Sequence, residues 1–335
     1  LQLPRAERDL GERADHRDAG VVDQHVDAAP QLIGAHRRGL DLRGSRLHGP
    51  GLAAPPGPLH DLVARLGLEP YDVPARRGEL KYLLVTHSPG GEQLVRFVLR
   101  SQRHLAAIRA ALPTLLHALP SVRVVTANLH PEHKAVLEGD TEIALTPQTS
   151  LPMTVGDVTL QLGPRSFFQT NTTVAAALSR QAPDWVDAAA PTVVWDLYCG
   201  VGGFALHAAA PGRTVVGVET SSDAVAAARR ALAEAPDAGH VEFVVGDATT
   251  TTVQPAPDLV VVNPPRRGIG PDLAAWSDAS PARHVVYSSC NVATLARDLA
   301  AMPSLRAVTG RVFDMFPQTP HTEVMVLLER TATPS

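Results

Sequence analysis

The second half of the chain alternates short runs of Val and Leu with Ala-rich stretches, and this alternation constrains the fold more than any other feature. The predicted strands contain, in order, TVVWDLY, TVVGVET, VEFVVGD, DLVVVNPP, HVVYSSC and EVMVLLER. Ala-rich helices, such as those at 221–235 and 292–302, separate several of them. Strands that are apolar along their whole length are typical of a parallel sheet covered on both faces. The sequence therefore predicts an α/β, Rossmann-like domain at residues 161–335, with helices on both faces of a mostly parallel sheet.

A smaller α+β domain is predicted before it, at residues 51–160. Two strands, at 79–88 and 92–101, flank a Pro-Gly-Gly turn, and helical spacing is found at 59–68 and 104–119. The basic residues of this domain include Arg76, Arg77, Lys81, Arg96, Arg100, Arg103 and Arg109. They are candidate contacts to RNA, although a solvated surface is the commoner role of such a cluster.

Residues 1–50 contain no Phe, Tyr or Trp and offer little from which a core could form. We interpret them as poorly ordered, or as a segment that is not native protein sequence. Their Arg, His, Asp and Gly bias without periodicity is what out-of-frame translation of GC-rich DNA would give. The sequence leaves both interpretations open.

Composition excludes several classes of protein. No apolar run approaches the roughly 20 residues of a membrane-spanning helix, and the first residues are charged, unlike a signal peptide. We therefore expect a cytoplasmic protein with no membrane partner and no obligate protein partner. Two cysteines, Cys199 and Cys290, argue against a disulfide framework, and no set of four Cys or His residues has the spacing of a zinc or iron–sulfur site. No metal site is predicted.

A glycine-bearing turn follows the first strand of the series, in DLYCGVGGFALH (196–207). Gly200 and Gly202 let the backbone pass close to a ligand and present free N–H groups to it. Glu219 ends the second strand, where an acidic residue accepts the two ribose hydroxyls of an adenosyl ligand, although an acid that begins a helix is the alternative. Asp247 ends the third strand and is a candidate for the adenine amine. These residues predict a site for S-adenosylmethionine.

Three further side chains stand where strands of the series end or begin. Asn263 ends the fourth strand, and the two prolines after it fix the backbone. Cys290 ends the fifth strand directly before a predicted helix, whose N-terminus stabilises a thiolate. Glu323 begins the last strand and is a candidate general base. Ligands of such sheets lie at the carboxyl ends of the strands, so we expect one active site there. Arg266 and Arg267 could hold a phosphate beside it.

Each of these residues also has a purely structural alternative. Asn263 could belong to a simple turn at the end of a strand, Cys290 could be an inert core thiol, and Glu323 could be an exposed glutamate. Cys199 is expected to pack inside the glycine turn. In SFFQTN (166–171), Gln169 offers an amide that can donate and accept hydrogen bonds, while the two phenylalanines are expected to pack.

Taken in order, these motifs resemble those of bacterial RNA uracil-5-methyltransferases, most closely the members that modify 23S ribosomal RNA. The resemblance runs from about residue 52 to 330 and rests on ARRGELKYLLVT, QLVRFVLRS, SFFQTN, DLYCGVGGFALH, VNPPRRGIG, YSSCN and FDMFPQTPHTEV. It implies that S-adenosylmethionine is bound by Gln169, Tyr198, Glu219 and Asn263. It also implies that Cys290 is the nucleophile and Glu323 the proton acceptor. Transfer-RNA members have Asp at the position of Asn263, so Asn favours the ribosomal group.

The resemblance implies a covalent mechanism on C5 of a uridine in single-stranded or loop RNA, in which the Cys290 thiolate adds to C6 and activates C5. Close relatives also carry four N-terminal cysteines that hold a [4Fe-4S] cluster. Residues 1–50 contain no cysteine, so cluster binding is not predicted for this chain.

Other functions remain open at this stage. The substrate could be another ribosomal site or a transfer RNA. An N-methyltransferase acting on an exocyclic amine also uses Asn-Pro-Pro, but it needs no Cys290 and usually has an aromatic residue next, where this chain has Arg266. The chain could also be a non-catalytic remnant that binds RNA or S-adenosylmethionine.

Overall fold

A computed structural model of the chain describes residues 20–24, 57–134, 136–166, 168, 172–235, 239–250, 254–315 and 322–331. These residues form a five-stranded sheet, a two-stranded hairpin and a seven-stranded sheet, together with seven helices. Within these ranges, no helix combines the length and apolar character needed to cross a membrane.

The first sheet and two helices form the smaller unit. Its elements are β1 (Gly20–Gln24), α1 (Gly57–Arg65), β2 (Leu80–His87), β3 (Gln93–Leu99), α2 (Leu105–Ala118), β4 (Val122–Leu129) and β5 (Thr141–Ala144). The strands lie in the order β1-β2-β3-β4-β5, with β2 and β3 antiparallel. Both helices pack on one face of the sheet, where Leu62, Phe97 and Ile108 are fully buried. The strands and helices predicted for this region are confirmed.

The predicted lack of structure at residues 1–50 can be compared with the structure only at β1. This strand pairs in parallel with β2, from Gly20 opposite Tyr82 to Gln24 opposite Thr86. The other residues of this segment lie outside the described ranges.

A hairpin links the two units of the chain. It consists of β6 (Leu151–Val155) and β7 (Val158–Leu162). Its apolar residues, among them Leu151, Met153 and Leu160, are buried in the core of the second unit. A division between residues 160 and 161 would separate this hairpin from the core in which it packs. We therefore propose that the second domain begins near residue 150.

The second unit is built around the seven-stranded sheet. Its elements are α3 (Thr172–Ala189), β8 (Val193–Leu197), α4 (Gly203–Ala208), β9 (Thr214–Glu219), α5 (Ser222–Ala233), β10 (His240–Val245), β11 (Leu259–Val262), α6 (Gly270–Ala279), β12 (His284–Ser289), α7 (Val292–Ala300), β13 (Leu305–Phe313) and β14 (Glu323–Arg330). The strand order is β10-β9-β8-β11-β12-β14-β13. The first five strands of that order are parallel, and β14 runs antiparallel to both β12 and β13.

Alternate residues of the central strands pack into two different cores. Val194, Val261 and Val286 face the core formed with α3, α4, α5 and the hairpin, which we call the α3 face. Their neighbours Trp195 and Val260 face the core formed with α6 and α7, which we call the α7 face. The predicted α/β domain with helices on both faces is therefore confirmed.

Some elements escape prediction because they carry no clear hydrophobic period. The strands β5, β6 and β7 are only four or five residues long. Strand β13 is exposed at seven of its nine residues, so its sequence shows no alternation of apolar and polar residues that would identify it as a strand. It forms the edge of the sheet, where exposed Arg306 and Arg311 are typical of a strand that must not pair with another chain.

Candidate active site

The carboxyl ends of β9, β8, β11 and β12 lie side by side and form one boundary of the large sheet, which we call its carboxyl edge. Strand β14 begins at this edge because it is antiparallel to β12. Glu219, Asn263, Cys290 and Glu323 stand at or directly beside these strand ends. Since neighbouring strands are about 4.8 Å apart, the edge from β9 to β14 spans roughly 19 Å. The structure thus brings the two predicted groups of residues to one edge, in the order Glu219, Asn263, Cys290 and Glu323.

These side chains also belong to one face of the sheet. On each of the four strands, a residue two or four positions away is buried on the α3 face: Val215, Val261, Val286 and Met325. Side chains of a strand alternate with a period of two, so continuing the alternation directs all four candidate residues towards the α3 face. The alternation therefore assigns the four side chains to one face of the sheet.

Cys290 and Glu323 are adjacent by strand register. The antiparallel pairing of β12 and β14 ends with Ser289 opposite Val324, and continuing it by one residue sets Cys290 opposite Glu323. Directly opposed residues have Cβ atoms about 4.5–5.5 Å apart. A thiol and a carboxylate at this separation can act on the same small ring.

Glu323 is almost completely buried, with 2% of its surface exposed. Its Oε1 accepts a 2.6 Å hydrogen bond from Ser288 Oγ, and Ser288 has no exposed surface. Burial raises the pKa of Glu323, and the Ser288 hydroxyl partly opposes this by stabilising the carboxylate. A carboxyl group with a raised pKa is suited to accept a proton from carbon and to release it again near neutral pH.

The glycine turn after β8 requires unusual backbone conformations. Tyr198, Gly200 and Gly202 all have positive φ, of 63°, 54° and 88°. A Cβ added at Gly202 would lie 2.7 Å from the ring of Phe243, so the position admits no side chain. Tyr198 is half-buried and packs at the α7 face, and burial raises its pKa. At Gly200, by contrast, an added Cβ would meet no atom within 4 Å, so the turn is open at this residue.

Glu219 is oriented by this turn and by the start of α5. Its Oε2 accepts the backbone N–H of Gly200 (3.2 Å), and its Oε1 accepts the Ser221 N–H and the Thr220 hydroxyl (both 2.9 Å). The side chain is partly exposed, so its carboxylate remains accessible. A fixed, accessible carboxylate beside a glycine turn matches the acceptor that a ribose diol requires.

Asp247 lies two residues beyond β10 and is exposed. Its Oδ1 accepts the N–H (2.9 Å) and the hydroxyl (2.7 Å) of Thr249, and these bonds lower the pKa of Asp247. The residue stands at the β10–β9 end of the edge, next to Glu219 and away from Cys290.

Asp196 in β8 and Cys199 in the turn after it are both deeply buried. Asp196 has no exposed surface, and burial raises its pKa to about 8, even though its Oδ2 accepts the N–H of Ala205 at 2.8 Å. No partner of its Oδ1 is found in the part of the chain that the structure describes. Cys199 is buried as predicted, and burial raises the pKa of its thiol well above the ordinary value. Cys199 is therefore unsuited to act as a nucleophile.

The Asn263 loop is fastened to the helix that follows Cys290. The carbonyl oxygen of Arg266 accepts the Asn291 side-chain amide and the Thr294 hydroxyl, both at 3.2 Å. Asn291 also caps α7 by accepting the backbone N–H groups of Ala293 and Thr294. The side chains of Arg266 and Arg267 are exposed above this loop. Asn263 and Cys290 are thus held in a fixed relation through the backbone of the loop.

Asp298 strengthens the same connection and was missed by sequence reasoning. It is 2% exposed, and its Oδ2 accepts the N–H of Ile269 (2.9 Å) and the hydroxyl of Tyr287 (2.8 Å). The sequence does indicate its burial, because Asp298 lies three positions after Leu295, on the apolar side of an amphipathic helix. Ser288 was also missed. A polar residue inside a buried strand likewise indicates a side chain that needs a hydrogen-bond partner.

Some predicted residues lie outside the described ranges or away from the carboxyl ends of the strands. Gln169 is not among the described residues, so its assignment stays a prediction. Phe168, in the same motif, packs against the α3-face core. Of the basic cluster, Arg76, Arg77, Arg103 and Arg109 are exposed.

Two members of that cluster do not face solvent. Arg96 is 3% exposed and forms ion pairs with Glu138 and Glu142, which neutralise its charge within the smaller unit. Lys81 is 4% exposed and donates to the carbonyl oxygen of Glu132. Neither of the two roles considered for the cluster, RNA contact and a solvated surface, therefore fits Arg96 or Lys81.

The cysteines do not fit an iron–sulfur cluster. Such a cluster takes four thiolates, and the chain contains Cys199, which is buried in the α3-face core, and Cys290, which stands at the reactive edge. Among the described residues, no group of three or more His, Cys, Asp and Glu side chains is placed to hold a metal.

Comparison with protein families gives two matches along the chain. A family model described as a methyltransferase domain matches residues 194–265, which contain the glycine turn, Glu219 and Asn263. A model described as tRNA (uracil-5-)-methyltransferase matches residues 254–331, which contain Cys290 and Glu323.

Individual proteins match over most of the chain. The 23S rRNA (uracil(747)-C(5))-methyltransferase RlmC of Cronobacter sakazakii is 48% identical over 306 residues, which cover 90% of this chain and 81% of that protein. RlmC of Salmonella enteritidis is 46% identical over 300 residues, which cover 88% and 80%.

Among solved structures, the chain is similar to the tRNA (uracil-54, C5)-methyltransferase of Pyrococcus abyssi in complex with S-adenosyl-L-homocysteine. The TM-score is 0.68 at 26% identity. The match covers 81% of this chain and 65% of that chain, slightly less than two thirds of its length.

Proposed function

Because this chain belongs to the family of S-adenosylmethionine-dependent RNA uracil-5-methyltransferases, we propose that its substrate is a uridine of 23S ribosomal RNA, at the position equivalent to uracil 747. Both RlmC relatives described above carry that position in their names, at 46–48% identity. This similarity favours ribosomal RNA over transfer RNA, because the transfer-RNA enzyme of known structure is 26% identical.

The observation that carries the mechanism is the register of β12 and β14. Continued by one residue, this register sets Cys290 opposite Glu323, and the Asn263 loop is tied to the helix beside Cys290. A nucleophile and a base on neighbouring strands, one step from a polar amide, suit a reaction that adds to a ring and later eliminates from it.

The residues at the other end of the edge fit the cofactor. Glu219 provides fixed carboxylate oxygens for the ribose hydroxyls, and the backbone of the turn at Gly200 and Gly202 allows the close approach of an adenosyl group. Asp247 is assigned to the adenine end, and Tyr198, Asn263 and Gln169 to the remaining contacts. When bound, S-adenosylmethionine supplies an electrophilic methyl group on its sulfonium.

Cys290 begins the reaction. Its thiolate adds to C6 of uracil, the C5=C6 double bond opens, and the negative charge moves onto C5 and the O4 carbonyl. C5 is then nucleophilic enough to take the methyl group, whereas C5 of free uracil is not. The base must leave its stack for Cys290 to reach C6, so a loop or locally unpaired segment is the expected RNA.

Glu323 completes the reaction. Its carboxylate removes the proton from C5, the electron pair re-forms the C5=C6 bond, and the C6–S bond breaks to release the Cys290 thiolate. The burial that raises the pKa of Glu323 also makes its carboxylate a stronger base than an exposed glutamate.

The smaller unit is assigned to RNA contact. Its exposed arginines, Arg76, Arg77, Arg103 and Arg109, can neutralise phosphates without reading sequence. This assignment predicts that salt weakens RNA binding. The buried Arg96 and Lys81 do not take part in it.

The test is methylation of defined RNA. The protein is incubated with radiolabelled S-adenosylmethionine and a 23S ribosomal RNA fragment that contains the target loop, and the products are digested to nucleosides. The expected product is 5-methyluridine at the single predicted position, and a fragment with cytidine at that position should remain unlabelled.

Three different results would assign the chain differently. Label at C5 of another uridine would keep the chemistry and change the substrate. A label on an exocyclic amine would contradict the proposal, and so would tight S-adenosylmethionine binding with no transfer to any RNA.

A further inference from the structure

We propose that Ser288 is a positioning residue for the elimination step: its hydroxyl holds the carboxylate of Glu323 with Oε1 engaged, so that Oε2 faces the C5 proton of the substrate. This role rests on the proposed function and extends it to a residue that does not touch the cofactor. It concerns release of the methylated product rather than methyl transfer.

The geometry that supports this role is local and well defined. Ser288 Oγ donates to Glu323 Oε1 at 2.6 Å, the length of a short bond between a hydroxyl and a carboxylate. Ser288 lies two residues before Cys290, so alternation sets both on the same face of β12. In the register, Ser288 is opposite Met325, so its bond to Glu323 runs diagonally across the two strands.

Burial makes this single bond important. Ser288 has no exposed surface and Glu323 has 2%, so bulk water does not hydrate the pair from outside. No further side-chain hydrogen bond of Glu323 is seen within the described ranges. A buried carboxylate depends on its donors for its orientation and for its ionised state, so loss of the Ser288 bond should disturb both.

Two simpler roles for the Ser288 hydroxyl fit its contacts less well. A hydroxyl that only satisfies itself within its own strand would bond to nearby backbone, but this one bonds to a side chain 35 residues away in sequence. A hydroxyl that activates the thiol of Cys290 would direct its proton there, but this proton is donated to Glu323. The neighbouring Ser289 differs, because it bonds with the backbone of Asn291 and serves the start of α7.

The chemical step affected is proton removal from C5. In it the C5–H bond breaks, the proton passes to Glu323, the electron pair forms C5=C6, and the C6–S bond breaks with its pair returning to Cys290. Ser288 orients the carboxylate that takes up this proton. Loss of the hydroxyl should therefore slow elimination and leave addition and methyl transfer nearly unchanged.

The experiment compares Ser288→Val with Ser288→Thr, two side chains of nearly equal shape that differ in the hydroxyl. Each variant is mixed with radiolabelled S-adenosylmethionine and unmodified 23S ribosomal RNA fragment in a single turnover. A denaturing gel then separates labelled RNA attached to protein from free labelled RNA. Folding is checked by thermal unfolding, and Ser288→Ala serves as a smaller substitution if Val disturbs the strand.

The expected result is a difference between the two variants. S288V should form the labelled covalent complex at a rate within about threefold of the wild type but release product roughly tenfold more slowly. S288T should behave like the wild type. The bond from Ser288 lowers the pKa of Glu323, so its loss in S288V should raise that pKa further. In a plot of the product-release rate against pH, the fall in rate on the acid side should therefore occur at higher pH in S288V than in the wild type.

Several results would overturn the role. Equal release rates in S288V and the wild type would show that the hydroxyl is dispensable, and equal losses in S288V and S288T would assign Ser288 to packing alone. Slower complex formation without accumulation would place it at an earlier step. If the wild type transfers no methyl group to RNA, the proposed function itself fails, and the role of Ser288 with it.

Discussion

Glu219 and Glu323 are the same residue type at the same edge and on the same face of one sheet, yet they differ in exposure and in hydrogen bonding. Glu219 is partly exposed and accepts three hydrogen bonds from the turn and the start of α5. Glu323 is buried, and among the described residues its one side-chain hydrogen bond comes from Ser288. In the mechanism that we propose, Glu219 belongs to a cofactor half of the site and Glu323 to a reactive half.

The difference shows how environment assigns roles to identical side chains. Many donors and access to water hold a carboxylate as a fixed anion that can bind hydroxyl groups. Burial raises the pKa of Glu323 and makes proton uptake easier, and the bond from Ser288 only partly opposes this. Cys290 and Cys199 form a similar pair, since one stands at the edge and the other is enclosed in the glycine turn.

Removing the nucleophile should separate the two halves most completely. Cys290→Ala should lower turnover by at least roughly 10⁴-fold, because C5 is not activated without addition to C6. The dissociation constant for S-adenosylmethionine, measured by calorimetry, should change by less than about threefold. Residual turnover near the wild-type rate would contradict covalent catalysis.

Neutralising the buried glutamate should stop the reaction later. Glu323→Gln should slow turnover by roughly 10²- to 10⁴-fold, because addition and methyl transfer precede proton removal. A methylated covalent complex should accumulate on a denaturing gel. Normal release of free product from this variant would require a different base.

Neutralising the exposed glutamate should affect binding instead. Glu219→Gln replaces charge-assisted hydrogen bonds to the ribose, worth about 1.5–3 kcal/mol, and should weaken S-adenosylmethionine binding by roughly 10- to 100-fold. At saturating cofactor, single-turnover rates should stay within about threefold. If binding is unchanged while chemistry slows, the two roles have been assigned to the wrong glutamates.

The smallest effect is expected at the adenine end. The Asp247 carboxylate is exposed and already accepts two bonds from Thr249, so Asp247→Asn should weaken cofactor binding by only about two- to fivefold. Competition with S-adenosyl-L-homocysteine gives a suitable measurement. A loss as large as that of E219Q would extend the cofactor half further along the edge than we propose.

The sequence predicts the sheet and the strand-end residues because both depend on local patterns. Buried strands leave continuous apolar runs, and residues at their carboxyl ends must meet at one edge. The face that each residue occupies follows from alternation once the strand is known. The order of the strands in the sheet was not predicted, and it is this order that brings Glu323 beside Cys290.

Contacts between distant segments could not be predicted in this way. Arg96 is paired with glutamates 42 and 46 residues later, so its charge was wrongly assigned to the surface. The partners of Ser288 and Asp298 likewise come from other elements. Local patterns show that such polar residues are buried, but only the fold shows which group each of them contacts.

Trapping with 5-fluorouridine tests the central claim most directly, since fluorine at C5 cannot be removed as a proton by Glu323. The protein is mixed with S-adenosylmethionine and a 23S ribosomal RNA fragment that carries 5-fluorouridine at the target position, and the complex is digested and mapped by mass spectrometry. We predict a methylated fluorouridine adduct on the peptide that contains Cys290. Methylation of the unmodified fragment without any adduct, or an adduct at another residue, would contradict the account.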